Sequence, residues 1–236
     1  MPIADHQPQK FRFRQFEILQ SEKVFKVGTD GVLLGVLCSC EKAKNILEIG
    51  SGTGLISLMI AQRNPAAKIS AIDIDEHACK LASRNFENSP FKTRLKSFHQ
   101  DFKTFNPQET FDFIVSNPPY FDINASKKNV LARQTLELDF RDLISGAAKH
   151  LSETGVFSVI VPNESYKKFI EIAEEFQFYL IRKINIIGIE GGKTKRLILE
   201  FSKQKSHTAE TDFVVREKSK KYSSEYIDLT KKFHNF

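Results

Sequence analysis

Short apolar runs alternate along this chain with longer stretches whose apolar residues return every three or four positions, and the two periods separate strands from helices. The runs at Ile46 to Ile49, Lys68 to Ile72, Lys96 to Gln100, Phe111 to Ser116 and Gly155 to Val161 read as strands. Helical spacing marks Leu55 to Arg63, the segment after Asp75, Asp139 to Leu151 and Tyr166 to Phe176. In the third of these, Leu143, Ile144, Ala147, Ala148 and Leu151 form one apolar stripe of the kind that faces a core. Such alternation predicts an α/β, doubly wound, Rossmann-like sheet of mostly parallel strands. Tyr179 to Ile187 and Arg196 to Phe201, joined through Glu190-Gly191-Gly192-Lys193, predict a closing hairpin that supplies one antiparallel strand.

The ends of the chain are less periodic. Met1 to Gln9 reads as a loose tail and Phe11 to Leu19 as an edge strand or hairpin. Lys26-Val27-Gly28-Thr29-Asp30-Gly31 reads as a turn ahead of a short helix over Val32 to Leu37, with Thr29 or Asp30 as its N-cap. Past a polar linker, Phe213 to Arg216 predicts a last edge strand and Ser223 to Phe233 a terminal helix. No internal repeat is present. One domain is expected over residues 1–236: a tail (1–10), an N-terminal extension (11–45), the core (46–202) and a C-terminal extension (203–236).

Two loops carry the chemistry. The first follows the strand at Ile46: Gly50-Ser51-Gly52-Thr53-Gly54, a G-x-G-x-G spacing one residue short of the dinucleotide fingerprint. It favours a nucleoside ligand without a pyrophosphate, such as S-adenosyl-L-methionine, over a purely structural strand-to-helix turn. Glu48 places a carboxylate near where a ligand ammonium would lie. Asp73, about 20 residues beyond the loop, suits ribose hydroxyls. Asp75 reads as a helix N-cap, whereas Asp101 suits either the cofactor's adenine amino group or an ordinary cap or turn.

The second loop is Asn117-Pro118-Pro119-Tyr120, at the carboxyl end of the strand from Phe111, where open α/β sheets bind ligands. An amino group conjugated to a ring or carbonyl is a poor nucleophile until its two N–H bonds are held. The Asn117 side-chain carbonyl and the Pro118 backbone carbonyl can each accept one, the prolines stiffen the loop, and Tyr120 offers a stacking face. The plainer alternative is that Pro-Pro simply ends the strand. Residues 121–137 read as a functional loop or a solvated flexible one, in which Lys127, Lys128 and Arg133 are candidate contacts to phosphates, as is Arg196 beyond it.

Charge adds a partner. From Arg182 onward there are 13 Lys+Arg against 7 Asp+Glu, leaving the first 181 residues balanced at 22 and 22, so the whole net charge of +6 lies in the last quarter. Basic charge concentrated in this way fits a polyanion. The 21 Phe with no Trp read as core filling. Cys38, Cys40 and Cys79 form no C-x-x-C pair, and the six His show no ligand spacing, so buried thiols and no metal are expected. No apolar run reaches membrane-span length and Met1 to Gln20 is too polar for a secretory signal, which predicts a cytoplasmic protein.

With both loops placed, the chain resembles the class I S-adenosylmethionine-dependent methyltransferases, the seven-stranded kind that uses an N-P-P-Y loop to act on amino groups. More closely, it is similar to the bacterial tRNA1(Val) (adenine(37)-N6)-methyltransferase family, from about Phe11 onward. The similarity rests on Lys26 to Gly31, Gly50 to Gly54, Ser116 to Tyr120, Phe213-Val214-Val215-Arg216 and Tyr222-Ser223-Ser224-Glu225-Tyr226. It implies that Gly50, Gly52, Asp73 and Asp101 contact the cofactor, that Lys26, Thr29 and Asp30 lie beside its methionine end, and that Asn117 to Tyr120 hold the target adenine. It also implies a tRNA partner; separately from the resemblance, a monomer is expected. Rival expectations are a glutamine-amide methyltransferase, which would need a larger domain than the 45 residues before Ile46, a DNA adenine methyltransferase, and a non-catalytic RNA-binding module.

Overall fold

The computed structural model describes residues 9–24, 26–119 and 140–234. Five strands run parallel: β3 (Asn45–Ile49), β4 (Lys68–Asp73), β5 (Leu95–His99), β6 (Phe111–Ser116) and β7 (Leu151–Pro162). Beyond β7 lies β9 (Thr194–Ser202), antiparallel to it and to β8 (Tyr179–Ile189), and β10 (Ala209–Arg216) adds parallel to β8. The order across the sheet is β10-β8-β9-β7-β6-β3-β4-β5. The chain steps outward from β3 to β5, then returns to β3's other side with β6, so the strand order reverses between β3 and β6. Helices leaving opposite faces there open a crevice above the strand ends. A separate hairpin, β1 (Lys10–Arg12) with β2 (Glu17–Leu19), packs beside this sheet.

Burial on the two faces follows the helices. One face carries α1 (Thr29–Leu37), α2 (Leu55–Arg63) and α3 (Glu76–Glu87), together with the terminal α6 (Ser224–Thr230); the other carries α4 (Phe140–His150) and α5 (Tyr166–Glu175). All of Leu55 to Ala61 is buried, because α2 is covered by the sheet on one side and by α1 on the other. By contrast α3, α4 and α5 bury only a stripe. Phe157, Phe169, Phe178 and Phe201 are fully buried with ring centroids 5.6–6.5 Å apart and fill the core as expected, whereas Phe98 on β5 is exposed. Cys38, Cys40 and Cys79 are buried free thiols.

Several boundaries differ from expectation, each for a physical reason. Helix α1 starts at Thr29, three residues early, and its N-cap is Gly28 in an extended conformation with no side-chain cap, so neither Thr29 nor Asp30 caps it. Strand β7 begins at Leu151 rather than Gly155, directly after α4, because Phe111 pairs with Leu151 before the register shifts to Phe113 with Val156, and the polar Ser152-Glu153-Thr154 falls in this irregularity. Strand β10 is twice as long as expected and makes the main sheet eight-stranded. Lys10, assigned to the tail, opens β1, and the Gln9 carbonyl accepts from the Gln20 N–H at 2.8 Å.

Candidate active site

The glycine loop is pinned from beneath by its neighbouring strand. The Gly50 and Ser51 N–H groups donate to the Ile72 carbonyl (2.9 and 3.1 Å), and Gly52 N–H donates to Asp73 Oδ2 (2.8 Å). Gly50 (φ 74°) and Gly52 (φ 52°) are left-handed, which an L side chain resists, and a Cβ built on either meets nothing within 4 Å. Among the described residues they border open space, the cradle that a nucleoside needs. Gly54 serves packing instead: a Cβ there would stand 2.5 Å from Phe86 Cε1. In the loop, the buried Ser51 hydroxyl has no hydrogen-bond partner among the described residues. Asn85, buried on α3, donates to the Thr53 carbonyl (2.9 Å) and exchanges hydrogen bonds with the Leu19 backbone, tying the loop to β2.

Three of the four candidate cofactor carboxylates, Asp73, Glu48 and Asp101, lie on or just after parallel strands, and the fold gives them different surroundings. Asp73 is half-buried at the end of β4; Oδ1 accepts from Asp75 N–H (2.9 Å), and burial raises its carboxyl above the usual range. Each of its oxygens keeps a lone pair for a ligand hydroxyl. Glu48 lies 1 % exposed beneath the first turn of α2, accepting from the Ser57 N–H (3.0 Å) and hydroxyl, and burial pushes its carboxyl up to about 8. It therefore braces α2 as a neutral acid at pH 7, not as an open carboxylate. Asp101 caps the short turn Phe102–Thr104, Oδ1 accepting from Lys103 N–H (2.9 Å), and remains half-exposed beyond the end of β5. Asp75 caps α3, as its position predicts.

The second loop meets the first directly. Ile49 and Ser116 are register partners on adjacent strands, with Ser116 Oγ donating to the Ile49 carbonyl (2.9 Å), so Gly50 and Asn117 leave the sheet side by side. Pro118 is buried and Pro119 exposed. The start of α1 closes a third side: a Cβ at Gly31 would lie 3.2 Å from Leu55 Cδ2 and 3.9 Å from Asn117 Nδ2. Next to Gly31, Asp30 accepts from Arg196 Nε at 2.9 Å, which joins a proposed cofactor residue to a proposed RNA residue. Thr29 is exposed, and Lys26 Nζ reaches Gln9 Oε1 at 3.4 Å. Tyr120, Lys127, Lys128 and Arg133 lie outside the described residues.

Asn85 and Ser57 escaped the sequence reading. A signal existed for Asn85, a polar residue on the stripe of Ala78, Ala82 and Phe86. None existed for Ser57, whose role depends on the turn above Glu48. Among the described residues no group of three or more His, Cys, Asp or Glu is placed to hold a metal, and no helix is long and apolar enough to cross a membrane.

A doubly wound sheet with one reversed strand, a G-x-G-x-G cradle over an acidic strand end, and an N-P-P loop at the next strand define a class I S-adenosylmethionine-dependent methyltransferase. The fold recurs in a predicted O-methyltransferase from Agrobacterium tumefaciens (TM-score 0.70, 20 % identity, covering 86 % of this chain and 96 % of that one). It recurs also in the N-methyltransferase NodS of Bradyrhizobium japonicum bound to S-adenosyl-L-homocysteine (TM-score 0.53, 18 % identity, 73 % and 83 %). The sequence model of the methyltransferase small domain matches residues 12–184. A tRNA1(Val) (adenine(37)-N6)-methyltransferase of a Flavobacteriaceae bacterium is 47 % identical over 227 residues, 96 % of this chain and 98 % of that one. One from Bacteroides thetaiotaomicron is 37 % identical over 95 % and 96 %. The chain belongs to the tRNA1(Val) (adenine(37)-N6)-methyltransferase family, within the methyltransferase small domain group.

Proposed function

We propose that this protein methylates N6 of adenine 37 in the anticodon loop of tRNA1(Val), acting in the cytoplasm as a single chain. The observation that carries the reading is the side-by-side exit of Gly50 and Asn117 from register-paired strands, which sets a donor cradle and an amine clamp at neighbouring positions of one chain. S-adenosylmethionine, when bound, supplies an electrophilic methyl group on a sulfonium.

The residues of the chain do the rest. Gly50 and Gly52 leave room for the donor and Asp73 accepts from its ribose hydroxyls. The Asn117 side-chain carbonyl and the Pro118 carbonyl hold the two N–H bonds of the target amine and stabilise the positive charge that grows on it, which matters more than a strong base. With S-adenosylmethionine bound, its methyl C–S bond would be exchanged for a C–N6 bond, and the proton that N6 then has to lose would go to water. An anticodon-loop base is cheaper to unstack than a paired one, which suits a chain of this size.

Purified protein, tRNA1(Val) transcript and methyl-labelled donor test the reading: N6-methyladenosine should appear at position 37 and vanish when that adenine is replaced by guanine. Label that survives the replacement, or an unlabelled transcript, would refute it.

A further inference from the structure

The basic excess of the last quarter has a place in the fold. Strand β9 runs against its neighbours, so the β8–β9 turn and the segment after β10 both emerge at the catalytic end of the sheet. The two touch each other. Glu190 N–H donates to the Arg216 carbonyl (2.8 Å), Lys218 N–H reaches Glu190 Oε2 (3.5 Å), and Arg216 pairs with Ile189 in register. Together these turns present Lys193 and Lys195 from the first, and Lys218, Lys220 and Lys221 from the second. All five are exposed, and none has an ion-pair partner among the described residues. The only acids within residues 189–196 and 216–222 are Glu190 and Glu217, and neither neutralises a lysine: Glu190 accepts from the Lys218 backbone, Glu217 from the Ser219 hydroxyl.

Two arginines connect this rim to the site and hold it in shape. Arg196 pairs in register with Pro162, three residues past the Val159–Ser116 pair, so it is level with Pro119. Its ion pair with Asp30 leads to Gly31 and from there to Asn117. Arg216 lies 4.1 Å over the Tyr222 ring, which stacks on Tyr226 at 4.5 Å, and donates to the Lys220 carbonyl (2.8 Å). Held on both sides, the Arg216 turn loses little entropy when it meets a ligand. The rim rises about 10 Å above the level of Arg196, three residues at about 3.3 Å each, and reaches about 19 Å sideways over the four strand spacings from β6 to β10.

We propose that this rim of two turns, centred on Lys193, Lys195, Lys218, Lys220 and Lys221, is the docking surface for the sugar-phosphate backbone of the RNA whose base enters at Asn117. The inference rests on the reading of the site as an RNA methyltransferase. Unpaired lysines on preorganised turns recognise phosphates without reading sequence, so the rim supplies affinity and orientation while the pocket selects the base.

The test is binding of a tRNA transcript across a salt series, in the presence of S-adenosylhomocysteine, by a variant with all five lysines changed to glutamine. A control variant changes five exposed lysines at the opposite end of the sheet, Lys42, Lys44, Lys68, Lys92 and Lys149. The rim variant should bind about tenfold or more weakly, equally for tRNAs of any sequence, and its log K against log salt slope should fall by about 0.7 to 0.9 for each phosphate that the lysines no longer neutralise. The control should bind as the parent does, and matched thermal melts show that both are folded. A rim variant with parental affinity and slope, or an equally weakened control, overturns the proposal. Since binding is read without turnover, failure of the rim is separate from failure of methyl transfer, which the parent protein reports.

Discussion

Two buried side chains show how burial assigns roles that charge alone cannot. Glu48 binds a proton in the folded chain between its ordinary 4.5 and about 8 that it does not bind when unfolded, so folding stability must fall as pH rises through that window. The full effect is on the order of 5 kcal/mol at most. Glu48→Gln keeps an acceptor for Ser57 but cannot ionise, so urea melts from pH 5 to pH 8.5 should show a flatter profile for the variant than for the parent. Parallel profiles would mean that Glu48 is ionised in the folded state. Asn117 is tested by turnover. Asn117→Ala should lower kcat by about 100-fold, the scale for losing one group that stabilises transition-state charge, with donor affinity in calorimetry within about twofold. Unchanged turnover would remove Asn117 from the chemistry.

At the scale of elements, the cradle depends on how closely α2 and α3 approach. Gly54 is both left-handed (φ 77°) and in the path of Phe86, so Gly54→Ala combines backbone strain with a clash. Its expected cost is about 2 to 4 kcal/mol in denaturant melts, with weaker donor binding because the Gly50–Gly52 turn is displaced. Gly54→Ala together with Phe86→Leu should regain the part due to the clash and not the part due to φ. Element boundaries were legible where periodicity was clean, as in α3 and α4, and illegible where packing from elsewhere decided them. The β7 start is set by pairing with Phe111, and the α1 start by Gly28 and the packing of Gly31 on Leu55.

For the whole molecule, the extensions at the two ends are part of the core rather than appendages. Phe213, Val215, Tyr226 and Phe233 join the buried cluster that holds Phe13, Phe16 and α1, and Arg14 N–H donates to the Phe233 carbonyl at 2.8 Å. A chain ending at Ser202 would expose that cluster and strip β8 of its edge partner. It should lose cooperative thermal unfolding and bind a hydrophobic dye, while the full chain melts in one transition. A truncated chain that melts sharply and binds donor would show that residues 203–236 form a separable unit.

The sequence by itself determined the order of elements and the place of the two loops at strand ends, because strand and helix periods and the residues of a glycine turn or an N-P-P-Y stretch are local properties. The tertiary structure alone decided which acids are open and which are buried, that Arg196 answers to Asp30, and that two distant basic turns stand together at the same end of the sheet as Asn117. Those facts depend on strand order and register, and a partner some 166 residues away leaves no local trace in the chain.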